Sequence, residues 1–146
     1  MDCKDIMLKW VHCCSPRSTA AECAQVMRDN AIGFVPVTDT AGAVLGVVTD
    51  RDLALRVLGE RLPSDTPVLA IMTPGPFLSC RPDDSLQSLE TRMAEAKRPR
   101  AVVVDPCGKL VGVISLSDIA RVETSLLHVG ELLRAITDRE PEPAVP

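Results

Sequence analysis

The chain has 146 residues, 46% of them hydrophobic and 25% charged, a balance that suits one compact domain or two small intertwined units and excludes disordered and fibrous classes. Aromatics are only 2%, namely Trp10, Phe34 and Phe77, so the core must be aliphatic, and the stacking platforms that hold single-stranded nucleic acid have no rings to use. Sixteen Lys and Arg against 20 Asp and Glu leave a net charge of −4, which offers no electrostatic footprint for a phosphate backbone.

No stretch approaches the ~18 apolar residues of a membrane span, and the N-terminus opens on Asp2, Lys4 and Asp5 instead of an apolar signal core. The expectation is a soluble cytoplasmic protein with neither a membrane nor a nucleic-acid partner. The six cysteines (Cys3, Cys13, Cys14, Cys23, Cys80 and Cys107) contain no C-x-x-C pair, and His12 and His128 stand far apart. A structural zinc site draws four N or S ligands from closely spaced pairs. No metal site is therefore expected, and the cysteines read as small apolar fillers kept reduced. Cys13 beside His12 is the one candidate for a reactive thiol of low pKa.

Sliding the chain against itself by 66 residues superposes residues 14–54 on 80–120, and ten of the 41 pairs are identical. The identities include Cys14/Cys80, Pro16/Pro82, Asp39/Asp105, Gly42/Gly108, Gly46/Gly112 and Asp52/Asp118. Upstream, Ile6-Met7 matches Ile71-Met72 at an offset of 65. This is a tandem duplication, and it predicts the elements in pairs.

In chain order, a short strand is predicted around residues 11–13. A helix follows from Pro16, its apolar face Ala20, Ala24, Met27 and Ala31, with Gly33 as its stop. Strands at 34–38 and 44–49 flank a turn carrying Asp39 and Gly42, and a helix runs over 51–62. The second copy repeats this: a strand near 77–79, a helix entered through Asp83-Asp84-Ser85 and ended before Pro99, strands at 101–104 and 110–115, and one long helix from Ser117 to about Thr137. The predicted organisation is α/β: two pseudo-symmetric β-α-β-β-α repeats packed through their small sheets into one module. Repeat 1 covers residues 2–62, a proline-rich linker 63–76 leads into repeat 2 at 70–137, and 138–146 is read as a disordered tail.

The chemistry concentrates at one corner. Gly33-Phe34-Val35-Pro36 precedes Gly46-Val47-Val48-Thr49-Asp50-Arg51-Asp52, and the second copy supplies Gly112-Val113-Ile114-Ser115-Leu116-Ser117-Asp118. An apolar strand ends in a hydroxyl, with an aspartate three residues on in the first helical turn. By itself that spacing is also that of a capping box, in which hydroxyl and acid satisfy the helix start and nothing more. Together, the Ile-Met openings, the Gly-x-x-Pro strand and the Gly-h-h-Thr-x-x-Asp corner (h, apolar) resemble the cystathionine-β-synthase (CBS) domain, whose tandem pairs form the Bateman module. The resemblance covers roughly residues 2–125.

The resemblance implies a non-catalytic module that binds AMP, ADP, ATP or S-adenosylmethionine in the cleft between the repeats, without a required cofactor, and associates as a homodimer. It casts Asp52 and Asp118 as acceptors for ribose hydroxyls, with Thr49 and Ser115 near the ribose or α-phosphate. The helix N-terminus and the cations Arg51 and Arg100 would face phosphate. Adenine would slide between the strand edge at Gly33, Val35 and Pro36 and the segment at residues 11–13, where His12 lies. The second copy departs from the pattern, with Pro99 and Val102 where Gly33 and Pro36 stand, so one strong site is expected. No nucleophile–base pair or Walker-type loop suggests an enzyme. The competing readings are an interaction or dimerisation module with vestigial pockets, signalling through an unknown protein partner, and an S-adenosylmethionine sensor. Either functional reading signals through dimer shape or partner affinity.

Overall fold

The computed structural model describes residues 1–138; the predicted tail, Asp138 apart, lies outside the described residues. Two sheets of three strands organise the chain. The first contains β1 (Phe34–Thr38), β2 (Val44–Thr49) and β3 (Thr73–Pro74), in the order β1-β2-β3. The second contains β4 (Ser79–Cys80), β5 (Arg100–Val104) and β6 (Leu110–Ser115), in the order β4-β5-β6. The helices are α1 (Cys3–Ile6), α2 (Ala20–Asn30), α3 (Asp50–Asp52), α4 (Leu86–Ala96), α5 (Leu116–Val122) and α6 (Leu126–Thr137). A π-helical stretch, Leu53–Leu58, continues α3, and a 3₁₀ turn, Val68–Ala70, precedes β3.

The chain divides into two compact units that are not the sequence repeats. One joins residues 9–77 with 104–112; the other joins 1–8, 78–103 and the described residues from Val113 to Asp138. The leading segment of each repeat explains the division. Thr73 pairs with Val47 of the first sheet, whereas Leu8, its counterpart at the offset of 65, pairs with Val113. Each leading segment thus completes the other repeat's strand pair.

The first unit is built around Val35, Val37 and Val48, with Ala20, Cys23 and Met27 of α2 and Val57, Val68 and Ile71 packed against them. β1 and β2 are antiparallel, Val35 opposite Val48 and Val37 opposite Gly46. A Cβ on Gly46 would lie 2.6 Å from the Thr73 carbonyl oxygen, so glycine here is what lets β3 approach. The turn is clamped by Asp39, whose Oδ1 accepts the N–H groups of Ala41 and Ala43, both at 2.9 Å, with Gly42 at φ 87°. Asp105 does the same for Cys107 and Lys109 at 2.8 and 2.9 Å, with Gly108 at φ 81°. The two turns lie side by side, Leu110 N–H donating to the Gly42 carbonyl at 3.0 Å.

The other unit buries Leu86, Leu89 and Met93 of α4 with Ala101, Val102, Val103, Ile114, Ile119, Leu132 and Ile136. Its β4–β5 pairing is parallel, with Cys80 opposite Val103. Subtracting 66 gives Cys14 opposite Val37, which is the parallel bridge found in the first unit.

Several boundaries differ from expectation. No strand forms at residues 11–13, where the pairing is an isolated parallel bridge at Cys14, and the helix expected over 51–62 is α3 continued by a π-helical stretch that ends at Leu58. α2 starts at Ala20 instead of Pro16, because Thr19 and Glu22 form a capping box. It stops through Ala31 in the left-handed conformation, φ 52°, two residues before Gly33; Lys97 ends α4 in the same way at φ 51°. The long final helix is two, broken at Glu123 and restarted by Ser125, whose side chain accepts the His128 N–H. The apolar residues of this stretch are divided in consequence: Ile119 and Ile136 are buried, while Leu126 is 86% exposed. Trp10 is 89% exposed and belongs to no core. Among the described residues no helix is long and apolar enough to cross a membrane.

Candidate functional site

In the first unit, β2 delivers Thr49 in extended conformation and the chain turns at once into α3. Thr49 N–H donates to Asp52 Oδ2 at 2.9 Å, and Asp52 N–H donates to Thr49 Oγ1 at 3.1 Å. This is a complete capping box. Asp52 is largely enclosed, its side chain 16% exposed, and its other oxygen, Oδ1, lies 3.5 Å from Arg56 Nη2. Arg56 is tethered in turn by Nη1 donating to the Ile71 carbonyl at 2.8 Å. Arg56 was not among the residues expected here; its only sequence signal was the i,i+4 spacing from Asp52.

The first helical N–H groups are not free for a phosphate, contrary to expectation. Asp50 N–H donates to the Gly33 carbonyl at 3.1 Å, Arg51 N–H to Asp50 Oδ1 at 2.8 Å, and Asp52 N–H to Thr49. Side chains and the adjacent strand absorb all three orphan donors. Any anion at this corner meets cations instead: Arg51, which is exposed, and Arg56. Gly33 matters sterically, because a Cβ there would lie 2.7 Å from Asp50 Oδ2.

The expected adenine slot is not open where it was placed. Cys14 N–H donates to the Pro36 carbonyl and Thr38 N–H to the Cys14 carbonyl, both at 3.0 Å, so the two segments are bonded neighbours. Val35 and Pro36 are fully buried and belong to the core. Val11 and Cys13 instead border a recess of about 180 Å³ with Lys9, Thr38, Gly42 and Leu110, whose lining does not include His12, Thr49 or Asp52. His12 is exposed. Cys13 is exposed as well, and desolvation by the protein around it pushes its thiol up, not down. That removes the condition for a reactive low-pKa thiol.

In the other unit, Ser115 and Asp118 build the same box at the β6–α5 corner. Ser115 N–H donates to Asp118 Oδ2 at 2.8 Å and Asp118 N–H to Ser115 Oγ at 3.3 Å. Here the hydroxyl itself also donates to Asp118 Oδ2, at 2.6 Å. Arg121 stands at the periphery, Nη1 4.0 Å from Asp118 Oδ1 and its side chain 80% exposed. Pro99 occupies the place of Gly33, and its carbonyl accepts from Leu116 N–H at 2.9 Å, so the backbone frame of the corner is kept. Arg100 is exposed at the start of β5, and Val102, in the place of Pro36, is buried.

Each corner therefore presents a partly enclosed carboxylate with lone pairs remaining after its capping bond, since a carboxylate has about four acceptor positions. Duplicated αββα units with this corner, each completed by the other's leading segment, define a tandem-repeat module. The CBS domain family profile matches the chain twice, over residues 3–59 and 68–125, and the chain belongs to that family. A CBS domain-containing protein of Bacillus subtilis, YhcV, is 34% identical over 134 residues, covering 92% of this chain and 94% of its own. Among solved structures, Hypoxic Response Protein I with two coordinated zinc ions is 27% identical with a TM-score of 0.76, covering 84% of this chain and 99% of that one. CBSX2 in complex with AMP is 25% identical with a TM-score of 0.71, covering 82% and 93%.

Proposed function

We propose that the chain is a non-catalytic regulatory module of the cytoplasm that binds an adenosine nucleotide of the AMP, ADP or ATP type. The observation that carries this reading is the corner at Thr49–Asp52, where a partly enclosed carboxylate lies beside the tethered Arg56, with the exposed Arg51 next to it in the chain. Asp52 accepts from the ribose hydroxyls, and the arginines meet phosphate. Gly33 keeps the strand edge close to the corner. Ser115, Asp118 and Arg100 form the weaker counterpart in the second repeat, residues 70–137. CBSX2, solved with AMP, supports the ligand class.

The signal is transmitted through a homodimer or a protein partner. The exposed Leu126, Leu127 and Leu133 of α6 supply apolar surface for either, and light scattering at micromolar concentration should return twice the chain mass. A second reading, an interaction module with vestigial pockets, is favoured by the filled capping boxes. Calorimetric titration of nucleotide-stripped protein with AMP, ADP, ATP and S-adenosylmethionine separates the two. Saturable binding of an adenosine nucleotide supports the first, a preference for S-adenosylmethionine replaces the nucleotide, and silence in all four leaves the second.

A further inference from the structure

Glu90 is the one buried charged residue among the described ones, 7% exposed. It sits on the core-facing side of α4, one turn beyond Leu86 and next to Leu89. A carboxylate removed from water there is costly unless a cation meets it. Its partner is His128, whose Nε2 lies 2.8 Å from Glu90 Oε2.

A third group converges on this pair. Ligating atoms of Glu90, Glu123 and His128 all lie within 4.8 Å of one another. The break between α5 and α6 is what brings Glu123 to His128. On one continuous helix, five residues apart, the two would point about 140° away from each other. Instead Glu123 caps α5, its Oε1 accepts Ser125 N–H at 2.8 Å, and Ser125 caps His128 N–H at 3.2 Å. With the imidazole neutral the trio carries two negative charges, and even an imidazolium leaves one. The negative field is felt at the ring: the hydrogen bond to Glu90, then the charges of Glu90, Glu123 and Glu131, raise the His128 pKa. The three groups face a recess of about 450 Å³ that Met1, Ser85 and Gln87 also line.

We propose that Glu90, Glu123 and His128 form a binding site for one divalent transition-metal ion, completed by water in the recess. One imidazole nitrogen and two carboxylate oxygens suit zinc, cobalt or manganese better than magnesium or calcium, which favour all-oxygen sets. Zinc bonds of about 2.1 Å at tetrahedral angles separate neighbouring ligand atoms by about 3.4 Å. Entry of the ion therefore spreads the Glu90–His128 contact by about half an ångström and draws Glu123 inward. Bound, the ion ties α4 to the α5–α6 elbow. Sequence spacing gave no hint of this site, because Glu90 stands 38 residues before His128 along the chain.

The test is titration of the full chain with cobalt(II) chloride after chelator treatment and without nucleotide, so its outcome is independent of the adenylate reading. The expected result is one ion per chain with weak visible d–d bands and no intense thiolate-to-cobalt band, which excludes the cysteines as ligands. Zinc chloride should displace the cobalt and magnesium chloride should not. His128→Gln and Glu123→Gln, both partly exposed and chosen because Glu90→Gln risks the fold, should each weaken binding at least tenfold with circular dichroism unchanged. A thiolate band, affinity unmoved by both substitutions, or no binding at millimolar cobalt overturns the proposal.

Discussion

Replacing Asp52 by alanine separates the two jobs assigned to this carboxylate. The structural loss is the return half of the capping box, the 2.9 Å bond from Thr49 N–H, and the 3.5 Å pair with Arg56. The first contributes about 1 kcal/mol and the half-exposed i,i+4 pair about 0.3–0.5 kcal/mol. Arg56 keeps its bond to the Ile71 carbonyl, so no buried cation is stranded. For a chain of this size ~1.5 kcal/mol lowers the Tm by about 3–6 °C. If Asp52 also accepts ribose hydroxyls, AMP affinity falls by a further ~1.5–3 kcal/mol, roughly ten- to a hundredfold. Asp118→Ala should cost about 1 kcal/mol of stability, because its Arg121 lies 4.0 Å away and is mostly exposed, and should weaken AMP less. Asp52→Asn, which keeps an oxygen for Thr49 N–H but loses the charge and half the acceptor capacity, should melt near wild type and bind poorly. Calorimetry with AMP and thermal melts with and without AMP read both quantities. A variant that melts lower yet binds AMP at wild-type affinity would reduce Asp52 to a helix cap and refute the sugar assignment.

Because the helical N–H groups at this corner are already bonded, the proposed nucleotide would meet cations here for its phosphate. AMP should bind at least tenfold tighter than adenosine, and Arg51→Ala, Arg56→Ala or Arg100→Ala should narrow that gap, most at the main contact; equal affinities in low salt would remove phosphate from the site. Gly46→Ala should destabilise by about 1–3 kcal/mol, since the added Cβ meets the Thr73 carbonyl at 2.6 Å. Gly130→Ala, in open space within α6, should raise the Tm through about 0.5–1 kcal/mol of helix propensity; the opposite order of the two would contradict the packing described. Ellman's reagent should find two fast thiols in the native protein, Cys13 and Cys107, and four more only on unfolding. Cys3, Cys14, Cys23 and Cys80 are buried, and burial pushes the Cys80 thiol up to about 12; a third fast thiol would contradict this.

The duplication was legible because it rests on residues whose backbone roles are local. Asp39 and Asp105 clamp their turns through the same two N–H groups, and Gly42 and Gly108 hold the same positive φ. Spacing of that kind survives in one dimension. What it could not carry was pairing between distant segments. Nothing local in Leu8 or Thr73 says which strand it will join. Nor does the helical period of residues 117–137 reveal that Glu123 and Ser125 stop and restart the helix. At the corner the hydroxyl and acid were found from their spacing, whereas Arg56 was missed because its value lies in the tether to Ile71, fifteen residues on. The N–H groups were misjudged for a related reason: their acceptors are Gly33, just ahead of the neighbouring strand, and the side chains of the corner itself.

The departures of the second repeat bear on how the two corners divide the work. In both, a strand-end carbonyl accepts the first helical N–H, Gly33 from Asp50 and Pro99 from Leu116, so the backbone frame does not depend on glycine. What glycine permits is the Asp50 carboxylate, which lies where a Cβ would otherwise be. Repeat 1 therefore combines two carboxylates, Asp50 and Asp52, with two arginines, Arg51 and Arg56. Repeat 2 replaces Asp50 with Leu116, and its Ser115 hydroxyl is donated to Asp118 at 2.6 Å. An acceptor already holding that proton has less capacity for a ribose hydroxyl, and Arg121 is too far out to orient it. Under the proposed reading, duplication preserved the scaffold at both corners, while the charge arrangement that favours a nucleotide persists at the first.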